Sequence, residues 1–237
     1  MKPVVVKLGG STAGAAATGI WADALSKATL PLVIVPGGGP FADQVRLAQP
    51  QMGFSDVAAH AMAILAMEQF AQIILDGRPR LAAACTVEQM QQAHDAGRIP
   101  VWMPTTLALA AADIRPSWDI TSDSLAAWLA GRLDASALVL VKQSGDFSEQ
   151  DTVESLSRRG IVDAALADTL PQGVALRLAG PGLRTPATLR VEGLPEGFAS
   201  AWARNHALFP RGVDIILCAG DQLAALPRSV AITEEAS

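Results

Sequence analysis

The feature that most constrains this chain is its opening strand, Val4-Val5-Val6-Lys7-Leu8, which runs straight into Gly9-Gly10-Ser11. A short β-branched run with no polar alternation predicts a strand buried on both faces. Lys7 stands inside that run, and a cation there needs an anionic partner, because burying an unpaired charge is very costly. Gly9 and Gly10 let the backbone turn tightly and bring its N–H groups close to a ligand. Taken alone, the stretch is equally compatible with an ordinary strand and a Gly-Gly turn from which Lys7 snorkels to water.

Further strand-length apolar runs occur at residues 31–36, 81–85, 99–103, 137–141, 174–178 and 213–218, most of them separated by segments of helical spacing. Strands alternating with helices predict an α/β sandwich around a largely parallel sheet. Thr86 with Gln89 reads as a capping box and Gly97 as the stop, which places a helix over 86–96. Ser55 is placed to cap a longer apolar helix reaching Leu75. Ligands of such open sheets gather at the carboxyl ends of the strands, so the strand ends are where chemistry is expected.

The second strand ends in Val35-Pro36-Gly37-Gly38-Gly39-Pro40 before a helix beginning near Phe41. Three glycines leading into a helix offer unhindered amides and the positive end of a helix dipole, an arrangement that suits an anion. Two glycine loops on neighbouring strand ends favour phosphate over a plain turn. The dinucleotide fingerprint is not met, since the second strand carries no acid for a ribose. Neither the G-x-x-x-x-G-K-[ST] loop nor the G-x-S-x-G elbow occurs.

Two further stretches carry charge to the same kind of place. Trp118-Asp119-Ile120-Thr121-Ser122-Asp123-Ser124 precedes an apolar helix over 125–133. Capping and dipole effects alone favour Asp, Ser and Thr there, although capping does not need both aspartates, two hydroxyls and a tryptophan. A carboxylate held at a helix N-terminus stays ionised and can orient a lysine. Leu138-Val139-Leu140-Val141-Lys142 is a second apolar strand ending in lysine, followed by Gln143-Ser144-Gly145-Asp146. The chain has four lysines, Lys2, Lys7, Lys27 and Lys142, and two of them terminate core strands.

Composition removes several classes of function. Lys+Arg 18 against Asp+Glu 23 gives a net charge of -5, which argues against a nucleic-acid or polybasic membrane partner. The apolar helix over 57–75 is broken by His60, Glu68, Gln69 and Gln72, which argues against a membrane span. No leader pattern precedes the first strand. Cys85 and Cys218 lie far apart and read as buried free thiols of a cytoplasmic protein, and the three scattered histidines suggest no metal site.

At these residues the sequence resembles the amino acid kinase family over roughly residues 1–170. The resemblance implies a three-layer αβα sandwich forming a single domain over 1–237, with an acceptor-binding half over about 1–133 and a nucleotide-binding half over about 134–237. It implies an ATP-dependent kinase that uses Mg2+, acts on a small anionic substrate and forms a homo-oligomer; an amino-acid carboxylate, isopentenyl phosphate or a nucleoside monophosphate as acceptor, and a non-catalytic nucleotide- or oxyanion-binding protein on the same fold, are the alternative readings. Carried over by position, Lys7 neutralises the transferring phosphoryl group, with Gly9, Gly10 and Ser11 around it. Gly37, Gly38 and Gly39 form the second loop, which holds the acceptor and the transferring phosphate, with Gly38 on the acceptor side; Asp123 organises the catalytic lysines, and Asp119 is the acceptor-side polar residue. Lys142, Gly145 and Asp146 fall on the nucleotide side, and the segment 159–163 resembles a helix near the nucleotide base.

Ser117 to Ser124, together with the segment 60–67, is similar to the methanofuran-pathway branch, which phosphorylates (5-(aminomethyl)furan-3-yl)methyl phosphate. In that branch Trp118 would stack on a furan ring, Asp119 would pair with the aminomethyl group and His60 would contact the acceptor phosphate. Trp118 as a core aromatic and His60 as a satisfied core histidine are the alternative readings. The chain departs from the family in three places. Gln143-Ser144-Gly145-Asp146 replaces the usual V-D-G, no lysine follows Asp163, and the tail from about Gly180 carries no recognisable feature.

Overall fold

The computed structural model describes residues 2–10, 15–143, 147, 151–181 and 213–217. The strands are β1 (Val4–Leu8), β2 (Leu32–Pro36), β3 (Leu81–Ala84), β4 (Ile99–Trp102), β5 (Ala137–Val141), β6 (Ala175–Pro181) and β7 (Val213–Leu217). They form one sheet in the order β3-β4-β2-β1-β5-β6-β7. The first six run parallel and β7 lies antiparallel against β6. The helices are α1 (Ala15–Leu25), α2 (Gly39–Met52), α3 (Asp56–Leu75), α4 (Val87–Asp95), α5 (Thr105–Ala108), α6 (Ser122–Arg132), α7 (Val153–Arg158) and α8 (Leu166–Thr169).

The alternation of side chains along a strand sorts the core into two halves, one on each face of the sheet. Val5, Leu138 and Leu140 pack against Leu125 and Leu129 of α6 on one face. Val4, Val6, Leu8, Val139 and Val141 pack against Trp21 and Leu25 of α1 and Phe70 and Ile74 of α3 on the other. This is the expected three-layer αβα sandwich. Lys7 shares the parity of Val5, and Lys142 that of Leu140, so both lysines belong to the α6 face. In the register of β1 and β5, Lys7 lies beside Leu140, two residues before Lys142. Such diagonal neighbours stand about 7–8 Å apart, close enough for two long side chains to reach one group.

Helix ends follow local chemistry. Ser55 accepts from the amide of Ala58 and starts α3, and Thr86 accepts from Gln89 to start α4. The reciprocal half of the expected box differs, because the Gln89 side chain takes the amide of Cys85 instead. Gly97, at φ +65, supplies the left-handed stop. By length and composition α3 is the one helix among the described residues long and apolar enough to cross a membrane, yet Ile64, Met67, Phe70 and Ile74 are buried in the cores. Cys85 is a free thiol that is only partly buried, and Cys218 lies outside the described residues.

Candidate active site

The carboxyl ends of β1, β2 and β5 open into a cavity of about 690 Å³. Lys7 and Asp123 are buried there, at 5% and 2% exposure. Lys7 Nζ stands 2.7 Å from Asp123 Oδ1, while Lys142 Nζ donates to the other carboxylate oxygen, Oδ2. One carboxylate therefore bridges two ammoniums from adjacent strands. Burial opposes ionisation of Asp123, but the charges of Lys142 and Lys7 and their hydrogen bonds outweigh it and hold the carboxyl well below the usual range. Burial pushes the Lys142 ammonium below its ordinary value, with Asp123 opposing that change and Lys7 adding to it.

The two glycine loops touch. A Cβ on Gly37 would stand 2.4 Å from the amide nitrogen of Gly10, and one on Gly10 would stand 2.5 Å from that of Gly39. Both contacts are with backbone, so neither position accepts a side chain without moving a loop. Gly37 N also donates to Leu8 O at 2.7 Å, which ties the second loop to the end of β1. No side chain caps α2, whose N-cap is Gly38, and Gly38 and Gly39 line the cavity beside Gly10. The first amides of α2 are thus left for a ligand, at the positive end of a 14-residue helix.

Asp123 owes its place to the first turn of α6. Thr121, the N-cap, makes no side-chain capping bond; its hydroxyl donates to Asp163 Oδ1 at 2.5 Å. The amides of Thr121 and Ser124 donate to Asp163 Oδ2 at 2.8 and 2.9 Å. Capping at this helix start is therefore delivered by a carboxylate from elsewhere in the chain, which leaves Asp123 free to face the lysines.

Among the residues expected on the acceptor side, Trp118, His60 and Gly38 line the cavity. Trp118 Nε1 donates to Gln49 Oε1 at 2.6 Å, and the Arg46 guanidinium lies 4.4 Å above the indole. His60 is 8% exposed, its Nε2 has no hydrogen-bond partner, and burial lowers its pKa. Asp119 stands apart from the cavity, 58% exposed, with Oδ2 accepting from Ser117 Oγ and 3.7 Å from Arg115. Gly9 and Gly37 support the loops without lining the cavity. Ser11, Gly145 and Asp146 lie outside the described residues.

The structure adds two cavity residues that the sequence reading did not single out, Asp43 and Arg46, and brings Arg159 and Asp163 of the segment 159–163 to the same cavity. Arg46 lies seven residues after Gly39, so a helix starting at the triglycine carries both on one face. That spacing was the available signal. For the contacts of Asp163 with the start of α6 there was none, since its partners are 42 and 39 residues away. The segment 159–163, expected as a helix near a nucleotide base, is the turn that follows α7; its Asp163 reaches the start of α6 and its Arg159 lines the cavity wall, 2.5 Å from Asp151.

Two family descriptions match the chain. "Amino acid kinase family" matches residues 2–151, and "Bacterial phosphonate metabolism protein (PhnH)" matches residues 161–233. The chain is 28% identical over 109 residues to the [5-(aminomethyl)furan-3-yl]methyl phosphate kinase of Methanocaldococcus jannaschii, covering 46% of this chain and 50% of that one. It is 37% identical over 68 residues to the alpha-D-ribose 1-methylphosphonate 5-triphosphate synthase subunit PhnH of Rhizobium meliloti, covering 29% of this chain and 34% of that one. It thus spans between a third and a half of the length of these two relatives. Of the solved structures, uridylate kinase from Archaeoglobus fulgidus superposes with a TM-score of 0.56 at 18% identity, covering 91% of this chain and all of that one. UMP kinase from Ureaplasma parvum superposes with a TM-score of 0.56 at 14% identity, covering 91% of this chain and 98% of that one; at such identities the likeness concerns the fold. With well over half its length matched and the same fold in its solved neighbours, the chain belongs to the amino acid kinase family.

Proposed function

We propose that this chain is a small-molecule kinase that transfers the γ-phosphoryl group of Mg-ATP to an acceptor already carrying an anionic oxygen. The observation that carries the reading is the pair of buried ammoniums, Lys7 and Lys142, held on one carboxylate beside the Gly38 and Gly39 end of the triglycine turn. An anionic acceptor oxygen needs little activation by a base. What remains is to bring two polyanions together and to neutralise charge as the P–O bond to the leaving group breaks and the new one forms.

Lys7 and the amides around Gly10 and Gly38 meet the transferring group, Lys142 meets the nucleotide side, and Asp123 keeps both ammoniums extended into the cavity. No group of three or more His, Cys, Asp or Glu side chains suited to a metal occurs among the described residues, and Asp123 is taken by the lysines. This donor set suits magnesium carried in on the nucleotide's own phosphates, where it supplies charge neutralisation.

The acceptor we favour is (5-(aminomethyl)furan-3-yl)methyl phosphate, which becomes the diphosphate. Its flat ring would stack on the indole face of Trp118 opposite Arg46. Its ammonium would face Asp43 on the cavity wall, since Asp119 is turned away, and Arg46 and His60 flank the same space. A second reading draws on the likeness of residues 161–233 to phosphonate metabolism proteins and makes the acceptor a phosphonate. A panel containing the furan phosphate, isopentenyl phosphate, UMP, acetylglutamate and methylphosphonate, assayed for ADP release, tests both. ADP release with the furan phosphate alone supports the first, release with methylphosphonate alone supports the second, and ATP binding without transfer to any acceptor overturns the kinase reading.

A further inference from the structure

The segment between α7 and α8 holds a carboxylate that the transfer step does not use. Asp163 receives three hydrogen bonds, from the Thr121 amide, the Thr121 hydroxyl and the Ser124 amide, at 2.8, 2.5 and 2.9 Å. A fourth bond reinforces the junction, with the Ala165 amide donating to Asp119 O at 3.1 Å. All of these fall on residues 119–124, the stretch that sets where Asp123 points. A helix start usually finds its acceptor in its own N-cap side chain. Here the cap is delivered across 39 residues or more of chain, and the N-cap hydroxyl is turned around to serve as a donor.

We propose that Asp163 is a positioning residue: it clamps the first turn of α6 so that Asp123 stands between Lys7 and Lys142, and its negative charge completes an electrically balanced group of two ammoniums and two carboxylates. The acceptor and nucleotide sides of the cavity are thereby joined through one side chain. Without the clamp the α6 N-terminus loses three acceptor contacts, and Asp123 is held by the lysines alone. Without the charge the two lysines share a single counter-ion. The charged groups that act on Lys142 are Asp123 on α6, Lys7 on β1 and Asp163 before α8, and Arg159 at the end of α7 lines the same cavity. Asp163 and Asp123 both favour the charged form of Lys142, while Lys7 opposes it.

The test separates charge from clamp. Asp163→Asn keeps the shape and removes the charge, whereas Thr121→Val removes the 2.5 Å bond and leaves the charge. With four lysines in the chain, the titration of Lys142 can be followed by competitive acylation and peptide mapping across pH, which needs no turnover. We expect Asp163→Asn to lower the Lys142 midpoint and Thr121→Val to leave it in place.

The turnover arm rests on the kinase reading. There Asp163→Asn should lower kcat by roughly 10- to 100-fold and Thr121→Val by roughly 3- to 10-fold, with KM for ATP within about twofold in both. An unmoved Lys142 midpoint in folded Asp163→Asn overturns the proposal. So does a loss confined to KM for ATP, which would mark Asp163 as a direct nucleotide contact. Should Asp163→Asn fail to fold, full turnover in Thr121→Val overturns the clamp. A parent chain inactive on every acceptor counts against the kinase reading alone, and the titration still decides the role of Asp163.

Discussion

Replacing Asp123 by asparagine removes the carboxylate that bridges two buried ammoniums and leaves the shape of the site nearly unchanged. The magnitude follows from the geometry. Lys7 and Lys142 sit on opposite oxygens of one carboxylate, within roughly 7 Å of each other, where two unit charges repel by about 2 kcal/mol at an effective dielectric of 20. Losing one partner of a buried ion pair costs about 3–5 kcal/mol on its own, so a fall of at least 3 kcal/mol at pH 7 is expected. The deficit should depend on pH with a definite sign. In the parent, the folded-state pKa of Asp123 lies below its ordinary value of 3.8, so its contribution is fully present above that value and is lost as pH falls through the lower folded value. In the variant, the folded state relieves repulsion by releasing a proton from a lysine, so the deficit shrinks as pH rises above neutrality. Urea unfolding of both chains at pH 6, 7.5 and 9 measures this. A deficit below about 1 kcal/mol, or one that is the same at all three pH values, would refute the shared-carboxylate account.

Other consequences are simpler to read. Gly37→Ala places a methyl group 2.4 Å from a backbone nitrogen and should lower stability by about 2 kcal/mol or displace the loop. Gly53→Ala, where nothing lies within 4 Å but φ is +71, should cost about 1 kcal/mol, and thermal melting of the two variants makes the comparison. Trp118→Ala should raise KM for the acceptor by roughly tenfold and leave KM for ATP unchanged; a change in the ATP value instead would move Trp118 to the nucleotide side. Because burial lowers the Lys142 pKa, kcat should fall with rising pH at a point below the ordinary lysine value of 10.5, and a pH–rate profile flat through that value would exclude a charged Lys142 from the step.

Much of this architecture was legible because burial on both faces of a parallel sheet leaves a plain mark in sequence. The runs at 4–8, 32–36 and 137–141 are apolar at nearly every position, and each became a central strand. The lysines at 7 and 142 stood out against that background, and strand parity placed both on one face. Asp123 was legible as a helix-start carboxylate. What escaped were groups whose role depends on contacts distant in sequence. Asp163 looks like any loop aspartate until the fold brings it to Thr121 and Ser124. Asp119 has the residue type the acceptor side would want, but the turn before α6 sends its side chain towards Ser117 and Arg115. Local pattern names the residues at the head of a helix and does not say which of them faces inward.

Phosphoryl transfer by Lys7→Ala, measured beside its affinity for ATP, tests the central claim most directly. Two ammoniums serving one polyanion predict a drop in kcat of about 100-fold or more on the best acceptor, with ATP affinity reduced far less. Turnover equal to that of the parent chain would contradict it.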